Sequence, residues 1–299
     1  MGRQHESLPP SMPTGLGLEY RLVSSSLQEL GYSTHAVGKW HLGYCSWDYT
    51  PTRRGFTSFF GFYTHGEDYY QRIVSDNRKV FRGYDLRQNE SVTHEGEGEY
   101  SAHLFSRKAV EIIQSGGEEP LFLYLSFQSI HKPIQVPDQY ARLYQPYGRL
   151  TKASRRLGMI SALDEAVKNV TLALKASGRY QNTAIIFMSD NGGADRGSNW
   201  PLRGGKNSVW EGGTRSPAFL HYPGIKRRYR KRVYSDLIHA VDWAPTILAM
   251  AGHPNYPHGS QQAEGLSQWL SLSGNLPGPR SELIYNINDA LRLVVVVRT

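Results

Sequence analysis

The stretch LFLYLSFQSIH, residues 121–131, decides the fold class. From Leu121 to Phe127 the chain is apolar almost without break, which reads as a strand buried on both faces of a sheet. The run gives way to Gln128-Ser129-Ile130, so His131 falls at the strand's carboxyl end. A second such run, TAIIFM at 183–188, ends in Ser189-Asp190-Asn191-Gly192-Gly193. Residues 154–177 lie between the two. They set Met159, Ile160, Leu163, Val167, Val170 and Leu174 on a helical period and stop before Gly178.

Outward from there, residues 101–115 (SAHLFSRKAVEIIQS) read as a helix, with Ser101 as candidate N-cap and Gly116 after its end. Residues 21–31 read as a short amphipathic helix stopped by Gly31, and THAVGKWHLG at 34–43 as a strand. Alternation along that strand puts Lys39 and His41 on one face and Trp40 on the other. A last helix is predicted over Ser235–Ala251, before Gly252. Helices alternating with apolar strands predict an α/β domain with a largely parallel central sheet and helices on both faces. In such sheets ligands gather beyond the carboxyl ends of the strands, where this reading places His131, Asp190 and Asn191.

The chain has 299 residues, 39% hydrophobic and 12% aromatic, enough for a large core. Thirty Gly and sixteen Pro point to many turns and long connections. The net charge is +8, much of it in Lys226, Arg227, Arg228, Arg230, Lys231 and Arg232. That run reads either as a docking patch for an acidic polymer or, preferred here, as a solvated loop between structured elements. No nucleic-acid-binding signature accompanies it, so nucleic acid is not an expected partner. No stretch is apolar enough to span a membrane. The only cysteine, Cys45, excludes a disulfide within these residues. Two sequons, Asn89-Glu90-Ser91 and Asn169-Val170-Thr171, permit glycosylation in a secreted chain.

Asp190-Asn191 offers two oxygen-bearing side chains at a strand end, which suits a hard cation such as Ca²⁺; an ordinary Asx turn before Gly-Gly explains the pair equally well. Residues 199–217 (NWPLRGGKNSVWEGGTRSP) form a long polar loop in which Lys206 stands beside Gly205. Such loops are often functional, and the bland alternative is a flexible surface loop. Lys39, His41, His131 and Lys206, with the Asp-Asn pair, together describe a site for a bound anion beside a divalent metal.

Several ordered segments carry a family resemblance. GYSTHAVGKWHLG (31–43), PTRRGF (51–56), EDYY (67–70), PLFLYLSFQSIHKPIQVP (120–137), IIFMSDNGG (185–193) and NWPLRGGKNSVWEGGTRSP resemble the sulfatases of the arylsulfatase B type. That group includes N-acetylgalactosamine-4-sulfatase and its close relatives. The resemblance implies an alkaline-phosphatase/sulfatase-like fold and hydrolysis of sulfate esters of aryl compounds or sulfated sugars. It implies that Lys39 contacts the sulfate and the nucleophile. His41 would hydrogen-bond the nucleophile and help break down the sulfated intermediate. His131 and Lys206 would bind sulfate and are the candidates for protonating the leaving group. Asp190 and Asn191 would be calcium ligands. A lysosomal or secreted location follows from the same resemblance, with a sulfated small molecule or glycan as the partner.

In that family the nucleophile is a formylglycine made from the Cys or Ser of a Cys/Ser-x-Pro-x-Arg motif upstream of the GKWH segment, alongside metal-binding aspartates of the first strand. None of the 37 residues before Gly38 is Asp or Cys, and Ser11-Met12-Pro13 lacks the Arg. The expectation is a chain with its first strand missing, abbreviated at both ends and inactive by itself. Its division is expected as an irregular segment over 1–20, the α/β domain over 21–275 and the start of an abbreviated C-terminal region over 276–299. The alternative is a pseudoenzyme that binds sulfated glycans without turning them over.

Overall fold

The computed structural model describes residues 8–9, 12–76, 81–145, 148–194, 197–253, 265–274, 276–288 and 293–298. Parts of the 1–20 and 276–299 segments therefore lie outside the described residues. The chain divides into two compact units, one spanning Leu8–Gly178 and the other including Arg179–Thr299.

The first unit contains α1 (Val23–Glu29), β1 (Ser33–Lys39), β2 (Ser58–Phe62), β3 (Ile73–Ser75), β4 (Arg82–Tyr84), β5 (Arg87–Gln88), β6 (Ser91–Val92), α2 (Ser101–Ser115), β7 (Leu121–Ser126), α3 (Asp138–Arg142) and α4 (Lys152–Ala176). Its sheet runs β6-β5-β2-β1-β7. β1 is parallel to both β2 and β7, and the β5 and β6 additions are antiparallel. Alternation on the strands builds two cores. Val37, Phe60 and Phe62 pack with Leu104 and Phe105 of α2 on one face. Ala36, Phe59, Trp40 and Phe56 pack together on the other. A third core joins Tyr140 and Ala141 of α3 to Met159, Ala162 and Ala166 of α4.

α2 spans the fifteen residues expected, though Tyr100 is its N-cap and Ser101 is the first helical residue. α4 starts two residues earlier than expected, because Thr151 and Ser154 form a reciprocal capping box that closes its first turn. β7 differs more. It is only half-buried along its length, with Tyr124 46% exposed. Among the described residues it pairs with β1 alone, so one face and one edge lack the cover its composition predicts.

The second unit holds β8 (Ile185–Met188), α5 (Glu211–Thr214), β9 (Ala218–His221), α6 (Trp243–Met250), α7 (Trp269–Ser273), β10 (Glu282–Asn288) and β11 (Leu293–Arg298). β8 pairs antiparallel with β9, and β10 with β11. The helix expected over Ser235–Ala251 is shorter. His239 and Asp242 close a single 3₁₀ turn, and α6 begins only at Trp243. The basic run 226–232 is also a turn, as preferred from sequence. Arg230 donates to the carbonyls of Ile225 and Pro223, and Arg232 to those of Ser271 and Leu272. Those two guanidiniums hold backbone and are not presented as a free patch. No described helix is long and apolar enough to cross a membrane.

Candidate functional site

Two glycines set the spacing at the carboxyl ends of the parallel strands. A Cβ on Gly61 would sit 1.9 Å from the Gly38 carbonyl oxygen, and one on Gly38 would sit 2.1 Å from that of Ser126. Only glycine lets the three backbones approach this closely. β1 ends there in Lys39. Past it the strand alternation stops, because His41 takes a left-handed φ of 59°. The expectation that Lys39 and His41 share one strand face therefore does not describe the local backbone, but both lie close enough to His65 for their charges to act on it.

These strand ends are marked by histidines. The His41 and His65 rings are 6.1 Å apart, and those of His65 and His131 are 6.2 Å apart at 82°. His65 follows β2, as His131 follows β7 and His41 follows β1. Burial, then the charges of His41, His131 and Lys39, push the His65 pKa down to about 4. At neutral pH His65 is therefore uncharged. Its Nδ1 is buried without a hydrogen-bond partner. Sequence reasoning missed this residue. The signal was available: THGED directly follows the apolar run SFFGFY, the same strand-then-histidine pattern that drew attention to His131.

Hydrogen bonds fix which ring nitrogen carries a hydrogen. A carbonyl only accepts, so the nitrogen facing it is the donor. His131 Nδ1 donates to Lys132 O at 2.9 Å. His41 Nε2 donates to Leu8 O at 3.0 Å. The His131 loop is strapped to the 64–69 loop. Gln128 accepts from Glu67 N and donates to Glu67 O, and the Tyr69 hydroxyl donates to His131 O at 2.9 Å. Gly66 lies under the His131 ring, where a Cβ would come within 2.9 Å of Nδ1.

Beside this stands a buried acid. Glu67 is 2% exposed, and neither carboxylate oxygen has a hydrogen-bond partner. Its one ion-pair partner is the fully buried Arg72, at 3.9 Å. Burial raises the Glu67 pKa well above the ordinary value against the pull of Arg72.

The second unit carries the other expected residues. Ser189 N donates to Pro217 O at the end of β8, Gly192 N to Gly213 O, and Lys206 N to Gly193 O at 3.1 Å. The Asn199 amide clamps the turn by accepting from Gly193 N and donating to the Gly193 and Gly204 carbonyls. A Cβ on Gly192 would fall 1.7 Å from Gly212 O. The 199–217 loop is thus bound tightly to the Asp190-Asn191 turn, against the flexible-loop alternative. Lys206, Asp190 and Asn191 sit on adjoining segments.

Asn191 spends its Nδ2 on Gly192 O, which leaves its side-chain oxygen as an acceptor. Asp190 is exposed. Two side-chain oxygens are a minority of the six to eight that Ca²⁺ takes. Among the described residues there is no group of three or more His, Cys, Asp or Glu side chains able to hold a metal. This donor set does not by itself fit a calcium site.

Comparison with known proteins adds the following. The family model described as Sulfatase matches residues 1–253. Arylsulfatase J of Mus musculus is 40% identical over 293 residues, which is 96% of this chain and 48% of that protein. N-acetylgalactosamine-6-sulfatase of Mus musculus is 28% identical over 257 residues, covering 82% of this chain and 47% of that protein. The crystal structure of Ps i-CgsB in complex with k-i-k-neocarrahexaose superposes with a TM-score of 0.77 at 29% identity, covering 87% of this chain and 59% of that one. The chain spans about half the length of the curated relatives it matches.

Proposed function

The chain belongs to the sulfatase family, and on that premise we propose that its cationic cluster binds the sulfate group of a sulfated sugar and serves sulfate-ester hydrolysis. The observation that carries this is the gathering of Lys39, His41 and His131 around the uncharged His65, beyond three parallel strands. A sulfate ester that cleaves builds negative charge on its leaving oxygen. Fixed cations at that point lower the barrier. Lys39 supplies a permanent charge. His131, its ring held through Nδ1 by Lys132 O, is proposed as the group that protonates the leaving oxygen. His41, its ring held through Nε2 by Leu8 O, is proposed to help break down the sulfated intermediate. Lys206 is proposed as a further sulfate-binding cation. Asp190 and Asn191 are proposed as weak oxygen donors toward calcium, too few to form a site by themselves.

The family's formylglycine has no source in these residues, since no Cys/Ser-x-Pro-x-Arg occurs in them. A second reading is that these residues bind sulfated glycans without turning them over. Under both readings the proposed substrate class is a sulfated sugar, supported by the oligosaccharide bound by Ps i-CgsB, and of the glycosaminoglycan kind, supported by the sugar named for one relative. A lysosomal or secreted location is proposed on the same grounds. Asn89 and Asn169 both lie on exposed positions, as glycan attachment requires.

Titrating sodium sulfate and a sulfated chondroitin disaccharide into the 299-residue chain tests the site. Lys39→Ala is expected to weaken both by about tenfold or more, the loss of one charge-assisted contact. Equal affinity in wild type and variant would remove the site from where it is proposed. Release of nitrophenol from 4-nitrophenyl sulfate by the same preparation is expected to stay at blank; turnover would overturn the inactivity and the binding-only reading together. Calcium is expected to bind weakly, with a dissociation constant on the order of 1 mM or above. Calorimetry giving micromolar affinity would show that the donor set is larger than Asp190 and Asn191.

A further inference from the structure

Next to the cationic cluster, in the same unit, lies a cavity of about 400 Å³ with Tyr44, Tyr63, Thr64, Phe81, Tyr84 and Arg87 in its wall. We propose that it is a second binding site, for a pyranose ring bearing an anionic group, and that it holds the sugar unit next to the sulfated one. The identity of that neighbouring unit rests on the sulfated-sugar reading above; the chemistry of the cavity does not.

Its position follows from the chain. Tyr44 comes directly after the segment that carries Lys39 and His41, and Thr64 directly before His65. A ligand seated in the cavity is therefore one short step along the backbone from the cluster. The volume is within the usual range for small-molecule sites.

The walls suit a sugar ring. Tyr44 and Tyr63 stack at 6.2 Å and 19°. Tyr63 is buried and gives the floor, while Tyr44 is 40% exposed and Phe81 more so. Flat aromatic faces left open to solvent accept the C–H face of a pyranose, while its hydroxyls keep polar partners at the rim. Such partners are present. Thr64 is 4% exposed, and its hydroxyl has no hydrogen-bond partner. Arg87 Nε is buried and equally without one. Buried polar atoms are rarely left unsatisfied, so two in one cavity wall point to a ligand or water that completes them.

The sign of the charge follows from what the carboxylates already do. Asp85 accepts from Tyr63 N and Thr64 N, and Asp76 accepts from Phe81 N. Both also line the cavity, but both spend acceptor capacity on backbone amides. Arg82 and Arg87 remain to meet the ligand, and Arg87 lies over the Tyr63 ring at 5.6 Å. A planar guanidinium above an aromatic floor selects a carboxylate or sulfate on the ring.

The test titrates a desulfated chondroitin disaccharide, which keeps its uronic carboxylate, into the full chain by calorimetry. Binding is expected, weakened about tenfold in Tyr44→Ala and in Arg87→Ala and held within about twofold in Tyr44→Phe. Phe81→Ala serves as a second aromatic variant should Tyr44→Ala fold poorly by circular dichroism. No binding by the wild type at about 10 mM, or equal affinity in Tyr44→Ala and Phe81→Ala, overturns the cavity site. Sodium sulfate titrated into the wild type separates the two proposals. If the disaccharide binds and sulfate does not, the cavity stands and the sulfate site falls. If sulfate binds and the disaccharide does not, the reverse holds.

Discussion

Asp242→Ala is expected to destabilise the unit containing Arg179–Thr299 by about 3–5 kcal/mol, because it leaves a guanidinium without its charge partner. Asp242 is fully buried. Its carboxylate accepts from His239 N at 2.9 Å, Leu266 N at 2.8 Å, Gln268 Nε2 at 3.2 Å and two nitrogens of Arg280. Arg280 is itself largely covered. The alanine thus orphans a charge, two backbone donors and a side-chain amide together. Burial alone would push the Asp242 pKa up, but Arg280 and the amides of Leu266 and His239 outweigh it and hold the carboxyl below its ordinary range. A carboxyl with a depressed folded pKa stabilises above its unfolded value, about 3.9, and loses that contribution as pH falls through the folded one. Urea denaturation at pH 7 and across pH 5 to 2 reads both parts. The variant should be less stable at neutral pH and show a flatter acid limb. A loss under about 1 kcal/mol at pH 7 would mean that Arg280 finds another partner.

Arg72→Leu is expected to cost as much, about 3–5 kcal/mol, in the other unit. The Arg72 guanidinium is completely enclosed and donates to the carbonyls of Tyr69, Gly96 and Glu99. It is also the only ion-pair partner of Glu67 among the described residues. Without it Glu67 must take up a proton or stay charged in an apolar setting, and three carbonyls lose a donor. The effect should reach the anion site, because Glu67 is the residue through which the 64–69 loop grips Gln128 and hence the His131 loop. Thermal denaturation and sulfate titration of the variant should therefore fall together. The double variant Arg72→Leu/Glu67→Leu should recover part of the stability. If it is no more stable than Arg72→Leu, the buried carboxyl is not the cause.

Elements with a long period and a clean stop were legible from sequence. α2 and α4 are of this kind, each with its glycine just beyond, and the two apolar runs are strands. Where a side chain overrides the period, the reading failed. The Asp242 carboxylate holds His239 N and closes a separate turn, so the expected helix starts late. Burial was misjudged for β7 because continuous apolarity says what a strand needs, not whether neighbours provide it. The strand-end positions of His131 and the Asp190-Asn191 turn were legible because each follows an apolar run. His65 was not singled out, since its importance comes from ring distances to His41 and His131 across three strands. The open aromatic cavity was equally illegible. Its wall is drawn from residues 44, 63–64 and 74–87, which share no pattern along the chain.

Among the described residues β7 pairs along one edge only, with β1, and the other edge has a consequence in solution. Leu121–Ser126 presents backbone donors and acceptors along an apolar strand, with Tyr124 outward and no charged side chain within its six residues. Such an edge is a template for strand addition between copies. Colloidal behaviour should then depend on concentration, with dilute preparations staying clear and concentrated ones clouding, even though the net charge of +8 favours dispersal.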